Sequence, residues 1–302
     1  VALLGPRQRL AAAGNLEVYR AEARQIPYLL LELGRLREMT FRGVDEGTGR
    51  PFDLDEFDNH YTHLFAWNRA KREVVGAYRL GRVDPGTEGF PGRLYTSTLF
   101  AYGADFLRRL GPALELGRSF VRPEYQRQFA PLLLLWKGIG AFVAENPRYR
   151  TLFGPVSITR EYSRLSRELL TTALAENCLL PDLARLVHPR TPVRRRPLSA
   201  PGCDPRMLRS LGADLDAATE LIAEIDPASG GMPVLLRHYL GLGGRVVAFN
   251  LDRAFSDVID ALVVVDLRQT DPRVLARYLG RRKADEFLRY HTPSASGLPA
   301  CA

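Results

Sequence analysis

Two kinds of hydrophobic pattern alternate along this chain, and their order constrains the fold more than any single motif. Short apolar segments typical of strands, among them "THLFAWN", "EVVGAYRLGRV", "ALELGRSFV" and "RTLFGPVSI", are interleaved with helical patterns such as "PLLLLWKGIGAFVAEN". Two more strands, "GRVVAFNLD" and "DALVVVDL", lie near the C-terminus. The interleaving predicts an α/β fold with a mixed sheet rather than a pure βαβ series.

Helical spacing also predicts long helices at both ends of the chain. Leu29, Leu33 and Phe41 can share one face of a helix over residues 16–42. A final helix is predicted over residues 271–291. The "PLLLLW" segment can be ordinary core or can wall a tunnel for an acyl chain.

Two segments differ in composition from the rest. Residues 189–206 are rich in Pro and Arg, which indicates a linker or a surface insertion. Residues 292–302 form a polar tail that is expected to be disordered.

Composition limits the class of protein. The chain has 302 residues, 46% of them hydrophobic, which is enough for one large domain or two small ones. The longest apolar run, around Leu132 to Trp136, is too short to span a bilayer, and no signal peptide is visible. Three widely spaced cysteines favour a reducing cytoplasm.

The chain is basic, with a formal charge of +8 that comes almost entirely from arginine. Such a balance permits binding to nucleic acid, to an anionic membrane or to an acidic protein, and composition does not separate these partners. The positive charge is spread along the chain and no nucleic-acid motif is present, so nucleic acid is not expected as a partner.

Several chemistries are excluded by missing motifs. The sequence contains no Walker A loop, no G-x-S-x-G elbow and no histidine followed five residues later by aspartate. Its "GLGGR" follows a helix and precedes a strand, the reverse of a dinucleotide-binding turn.

A set of charged and aromatic residues remains in the first half of the chain. Its members are Arg37, Phe41, Asp55, Asp58, Arg79, Glu115 and Arg118. Singly, each has a structural explanation: Asp55 and Asp58 suit helix caps, and Glu115 with Arg118 suits a buried ion pair.

The order of this set resembles the acyl-homoserine-lactone synthases and their relatives in the GNAT acyltransferase superfamily. The matching motifs are "LREMTF", "DEFD", "VVGAYRL" and "ELGR". Other segments resemble a sister group more closely, the hemolysin-like N-acyltransferases that acylate ornithine or glycine in aminolipid synthesis. These segments are "YTSTLF", "ELGRSFVRPEYQ", "LFGPVSIT" and "PVLLRHYLGLGGRVVAFNLD". That resemblance covers residues 14–291 and implies one GNAT-like domain with additional C-terminal elements. Some members of the group also carry an O-acyltransferase domain.

The resemblance implies a role for each residue of the set. Glu115 would take a proton from the incoming ammonium, directly or through water. Arg118 would orient that carboxylate or bind an acidic group of the substrate. Asp55 and Asp58 suit an ammonium, and Arg37 and Arg79 suit a carboxylate or hold the loop.

Further positions follow from the same resemblance. Phe41 would line the substrate site, and backbone N–H groups from Ser119 to Val121 would bind the oxyanion. Tyr162 would protonate the leaving thiolate.

Ornithine is the expected acceptor, with glycine as the next alternative. The implied donor is a 3-hydroxyacyl group on phosphopantetheine, with no permanently bound cofactor and no metal. GNAT enzymes that use coenzyme A hold its pyrophosphate with a loop of the form Q/R-x-x-G-x-G/A, whereas "QRQFAPL" has no glycine here. This departure favours acyl carrier protein over coenzyme A, with Arg122, Arg127 and the run of residues 194–196 as candidates for docking. A cytoplasmic enzyme with peripheral contact to the inner membrane face is expected.

Three rival interpretations stay open on the sequence. They are an autoinducer synthase, a non-catalytic basic binding protein, and a metal site. The metal site would use Asp53, Asp55, Asp58, His60 and His63.

Overall fold

A computed structural model shows a mixed α/β fold in which helices cover both faces of one large sheet. The structure describes residues 1, 3–84, 93–194, 206, 210, 213–253 and 255–292. The fold class predicted from the sequence is confirmed.

The large sheet has eight strands in the order β1-β2-β3-β4-β6-β7-β10-β9, and β5 pairs with β8 in a separate ribbon. The strands are β1 (Arg9–Ala13), β2 (Leu16–Glu22), β3 (Thr62–Asn68), β4 (Glu73–Val83), β5 (Phe100–Tyr102), β6 (Ala113–Val121), β7 (Thr151–Ile158), β8 (Val187–Pro189), β9 (Arg245–Asp252) and β10 (Val258–Asp266). Among the paired strands that the structure describes in this sheet, only β6 and β7 run parallel to each other. A helix connects them, as a parallel pair requires.

β6 and β7 separate soon after they begin. Their pairing stops at Glu115 and Phe153, while β6 stays on β4 as far as Val121 and β7 stays on β10 as far as Ile158. The two halves of the sheet therefore diverge and leave a gap in its centre.

A β-bulge in β6 lies at the start of this gap. Ala77 and Arg79 of β4 pair with Phe120 and Gly117 of β6. One residue of β4 therefore lies opposite two residues of β6. Arg118 is one of the two residues in the bulge, and its φ of 47° is uncommon for a residue with a side chain. The bulge bends β6 and turns Arg118 toward the face that carries the charged set.

Helices cover the sheet on both sides. They are α1 (Pro27–Arg42), α2 (Phe106–Leu110), α3 (Pro123–Gln126), α4 (Phe129–Glu145), α5 (Arg164–Asn177), α6 (Pro181–Ala184), α7 (Leu215–Ile225), α8 (Val234–Gly241), α9 (Pro272–Leu279) and α10 (Arg281–His291). On one face, Leu33 and Leu36 of α1 pack against Phe65 and Phe120. On the other, α4 belongs to the main core together with α5, α7, α8 and α9.

Most predicted elements are found within a few residues of their predicted ends, but two helix predictions are wrong in part. Residues 16–22 form strand β2, because Val18 and Ala21 are buried in strand pairing with β3 and only the segment after Pro27 is helical. The C-terminal helix is divided in two at Gly280, where φ is 83°.

The two segments of unusual composition are described only in part. Residues 187–189 form β8, and Pro192 bridges to Asn250 of β9. Residues 195–205 and 293–302 lie outside the described residues, so the linker and the disordered tail stay predictions. None of the helices that the structure describes combines the length and the apolarity needed to cross a membrane.

The close approach of β6 and β7 gives a stability prediction. A Cβ atom on Gly154 would overlap the carbonyl oxygen of Leu116, so Gly154→Ala must push the two strands apart. We expect a loss of about 1–3 kcal/mol in the free energy of unfolding, measured by urea denaturation. Gly241→Ala is the control, because a Cβ there meets no atom within 4 Å. Equal unfolding midpoints for the two variants would contradict the role of Gly154.

Candidate active site

A cavity of about 430 Å³ occupies the gap between β6 and β7. Its lining comes from both faces of the sheet, because successive residues of a strand point to opposite sides. On β7, Val156 belongs to the core under α4, whereas Ser157 points to the opposite face. The cavity therefore passes through the sheet from one face to the other.

The part of the cavity on the α4 side is apolar. Val121, Leu132, Val156 and Leu235 line it together with the ring of Tyr78. Exposed Phe129 and Val234 lie at the first residues of α4 and α8, the two helices that contribute Leu132 and Leu235. This part can hold a hydrocarbon chain.

The opposite part is polar and contains four charged groups. They are Glu46, Arg118, Asp252 and Asp260, with Tyr95 and Ser157 beside them. A cavity that is apolar at one end and charged at the other can hold an acyl chain and a polar acceptor at the same time.

The end of α1 positions Glu46. The N–H of Glu46 donates to the carbonyl of Phe41 at 2.8 Å, and the N–H of Asp45 donates to that of Arg42 at 3.2 Å. Asp45 is left-handed, with a φ of 61°, which completes a Schellman-type end with aspartate where glycine is usual. The chain reverses there and directs Glu46 to the cavity.

Arg118 is fixed between carboxylates and aromatic rings. Its Nε lies 2.9 Å from Asp53, and its guanidinium carbon lies 4.4 Å from the Tyr95 ring centroid and 5.3 Å from that of Phe255. Burial alone would lower the pKa of Arg118, but Tyr95, Asp53 and Asp55 raise it, so the side chain stays cationic.

The cavity carboxyls have raised pKa values. Burial raises the pKa of Glu46 to about 7, with Asp252 acting in the same direction and Ser157 and Arg118 against it. Burial also raises the pKa of Asp260 well above its usual range, and the charges of Asp252 and Glu46 add to this. Because its pKa is about 7, Glu46 is partly protonated near neutral pH, which suits proton transfer.

Four of the predicted residues form a buried ion-pair network beside the cavity. Arg37 donates to Asp58 at 2.7 Å, and Arg79 donates to both oxygens of Asp55 at 2.5 and 2.8 Å. Arg79 also lies 3.2 Å from Asp58. Burial opposes ionisation of Asp58, but Arg37 and Arg79 outweigh it and lower the pKa of Asp58.

This network connects α1, the turn at residues 56–59 and β4. Both arginines have fully buried side chains, and neither they nor the two aspartates are among the cavity-lining residues. The four residues that the sequence grouped are thus brought together, while their predicted roles in binding substrate stay predictions.

Glu115 is held behind the cavity rather than in it. The hydroxyl of Tyr61 donates to one of its carboxylate oxygens and the N–H of Thr96 donates to the other at 2.7 Å. Burial raises the pKa of Glu115, against the hydrogen bonds from Tyr61 and Thr96, and its exposed fraction is 1%. The predicted ion pair with Arg118 is wrong, because Arg118 pairs with Asp53 and Asp55 instead.

The remaining predicted residues divide between the cavity and its surroundings. Phe41 and Ser119 line the cavity, whereas Tyr162 is buried in the core and is not among the lining residues. Arg122 is bound to Glu73 and Glu124 at 2.7 and 2.9 Å.

The last two predictions concern carrier docking and metal binding. Arg127 is exposed and follows directly after α3, close to the first residue of α4. In the described part of the chain, no group of three or more His, Cys, Asp or Glu could hold a metal ion. The carboxylates considered for that site pair with arginines instead.

Sequence reasoning missed Glu46, Asp252 and Asp260. Asp260 had a visible signal, since it is a lone carboxylate near the start of the apolar run "VIDALVVV". Glu46 had none, because it lies in an acidic loop and reaches the cavity only through the turn that ends α1.

Comparison with known proteins agrees with this geometry. A family model described as an acetyltransferase (GNAT) domain matches residues 36–137. The chain is 30% identical to a glycine N(alpha)-acyltransferase of Bacteroides thetaiotaomicron over 97% of its own length and 88% of that protein. It is 29% identical to a glycine N(alpha)-acyltransferase of Phocaeicola vulgatus, over 94% of its own length and 89% of that protein. The chain is 26% identical to an L-ornithine N(alpha)-acyltransferase of Brucella abortus, over 89% of its own length and 90% of that protein.

The two glutamates near the end of α1 should affect stability in opposite directions. The pKa of Glu46 is raised from 4.5 to about 7, so the folded state binds more protons than the unfolded state between these pH values. Its stability contribution is therefore lost as pH rises through that window. We expect Glu46→Gln to be more stable than the native chain at pH 8, by about 2 kcal/mol, and equal at pH 4.

Glu38→Gln is the contrasting variant. Arg42 and Thr48 donate to Glu38 at 2.6 and 2.7 Å, and despite burial these bonds lower its pKa from 4.5 to about 2. The carboxylate stabilises the fold above pH 4.5, and this contribution is lost as pH falls toward 2. Glu38→Gln should therefore lower stability at pH 8. Thermal unfolding across pH measures both effects, and the same sign for both variants at pH 8 would refute the assignment.

Proposed function

This chain belongs to the GNAT-domain amino-acid N-acyltransferases, and we propose that it transfers a 3-hydroxyacyl chain from acyl carrier protein to the α-amino group of ornithine or glycine. The product would be an acylated amino acid that enters aminolipid synthesis. The observation that carries this proposal is the cavity through the sheet, apolar on the α4 side and charged on the other.

The cavity suits the two substrates of such a transfer. An acyl thioester entering from the α4 side would place its chain against Leu132, Val156 and Leu235, and its carbonyl in the gap between β6 and β7. After Glu115, the backbone of β6 no longer pairs with the backbone of β7. Backbone N–H groups between Ser119 and Val121 are therefore suited to bind the oxyanion.

Glu115 is assigned a positioning role in this scheme. It binds the N–H of Thr96, and Tyr61, its other partner, accepts from the N–H of Tyr95 at 2.9 Å. These bonds fix the 3₁₀ turn Tyr95–Thr98, which places the Tyr95 ring against Arg118. Glu115 does not line the cavity, so the proton-accepting role predicted for it would run through water and stays a prediction.

Carrier protein is the proposed donor because the region before α4 lacks a glycine cradle for a nucleotide pyrophosphate. Carrier proteins are acidic, and exposed Arg127 lies with exposed Phe129 at the α4 side of the cavity. The net charge of +8 also suits contact with an anionic membrane, where an acylated product would be delivered.

The acceptor is proposed from the relatives and from the charges in the cavity. The two relatives named for glycine match at higher identity than the one named for ornithine. Both amino acids carry an ammonium and a carboxylate, which suit Glu46 or Asp260 and Arg118 respectively.

The first test is an acylation assay with purified protein, 3-hydroxyacyl carrier protein and a panel of amino acids, with products identified by mass spectrometry. We expect one N-acylated amino acid. Glu115→Gln should lower kcat about tenfold or more, because the turn that carries Tyr95 loses a charged partner, without shifting the pH dependence of kcat/KM. If no amine is acylated from either carrier protein or coenzyme A, the proposed function fails.

Carrier docking has its own test. Arg127→Glu should raise KM for acyl carrier protein by about tenfold and leave KM for acyl-coenzyme A unchanged, because only the protein donor has an acidic surface. Arg108→Glu on α2 is the matched control, since Arg108 is exposed and lies on the other face of the sheet. Equal effects of the two substitutions would argue against docking at Arg127.

A further inference from the structure

Asp260 is a buried carboxyl that lines the cavity and keeps one oxygen without a hydrogen-bond partner among the described residues. It lies on β10 with an exposed fraction of 4%, and its Oδ1 accepts from the hydroxyl of Ser157 at 3.2 Å. Its Oδ2 is buried and has no hydrogen-bond partner among the described residues. A buried carboxyl oxygen without a hydrogen-bond partner destabilises the fold, so a site for a donor is indicated there.

Glu46 approaches the same part of the cavity from the turn after α1. Its Oε1 is likewise buried and without a hydrogen-bond partner in the described part of the chain. Glu46 and Asp260 are close enough for the charge of one to raise the pKa of the other, although 214 positions separate them in sequence. Two segments that are distant in sequence thus bring carboxyl groups, each with an unpartnered oxygen, to the same cavity.

Neighbouring carboxylates on this face of the sheet are already occupied. Asp55 is bound by Arg79, Asp58 is bound by Arg37, and Glu38 accepts five hydrogen bonds. Asp53 is held in an ion pair with Arg118. Their arginine or N–H partners leave them little capacity to bind a ligand. Glu46 and Asp260 differ from them because both residues line the cavity, and each has one oxygen without a hydrogen-bond partner among the described residues.

We propose that Glu46 and Asp260 bind the ammonium group of the acceptor amino acid between them, and that Glu46 takes its proton. This inference rests on the proposed function. Arg118, which lines the same end of the cavity, binds the acceptor's carboxylate. An ammonium site and a carboxylate site side by side select an α-amino acid over a simple amine or an alcohol.

The step balances as follows. The Glu46 carboxylate removes one proton from the ammonium, and the nitrogen lone pair then forms a C–N bond with the thioester carbonyl carbon. As the tetrahedral intermediate collapses, the C–S bond breaks and its electron pair leaves with sulfur. A second proton from nitrogen ends on the thiolate, and Glu46, which is less buried than Asp260, releases its proton to water.

The test compares Glu46→Gln and Asp260→Asn with Glu161→Gln, which removes an exposed charge near Glu46 but outside the cavity lining. Each is assayed with the amino acid and with hydroxylamine, whose nitrogen is mostly unprotonated at neutral pH. We expect kcat/KM for the amino acid to fall by about 10²–10⁴ in the two cavity variants. Transfer to hydroxylamine and KM for the acyl donor should stay within about threefold of the native values.

Thermal unfolding shows whether a variant has lost activity only because it is less stable. Both cavity variants should melt at or above the native temperature, because each removes a carboxyl whose ionised form is costly to bury. The inference is overturned if the cavity variants keep amino-acid acylation within threefold of native, or if hydroxylamine transfer falls in parallel. A native protein that transfers acyl groups to hydroxylamine but to no amino acid would instead defeat the proposed function, and the inference with it.

Discussion

The early end of the pairing between β6 and β7 is the constraint on which the rest of the structure depends. Only three residue pairs hold these parallel strands together, and each strand then follows its other neighbour. Glycine at position 154 lets the backbones approach at the last point of contact, and the bulge at Arg118 bends β6 away beyond it. Unpaired backbone, a through-going cavity and an inward-facing arginine all result from this one divergence.

Carboxyl groups on one face of the sheet serve two different purposes. Asp55 and Asp58 neutralise buried arginines, so their charges fix the turn at residues 56–59 against α1 and β4. Removing either partner would leave an uncompensated buried charge, which is why such a network holds one geometry. Glu46 and Asp260 instead keep unused oxygens and raised pKa values. The buried ion-pair network thus lies beside a cavity in which two carboxyl groups keep oxygens without hydrogen-bond partners among the described residues.

The sequence predicted what depends on local pattern and missed what depends on distant contacts. Strands β3, β4 and β6 were predicted at their observed bounds because their apolar runs end at turn residues. Residues 16–22 were misjudged because the apolar spacing of "LEVYRAE" is compatible with a strand and with a helix. The order of motifs grouped Arg37 with Arg79 and their aspartates. No local pattern could show that Glu46 and Asp260 line the same cavity, or that Glu115 is bound by Tyr61 and Thr96.

The length of α1 sets the position of Glu46. Leu33 and Leu36 hold the helix on the sheet, and the chain leaves it through a fixed turn at Asp45. Each helical residue adds about 1.5 Å of rise and about 100° of rotation. One residue more or fewer between Leu36 and Arg42 would thus turn the carboxyl out of the cavity while leaving every strand in place. The length of α1 therefore sets where the Glu46 carboxyl lies, so chains of this fold can change the charges that line the cavity without changing the sheet.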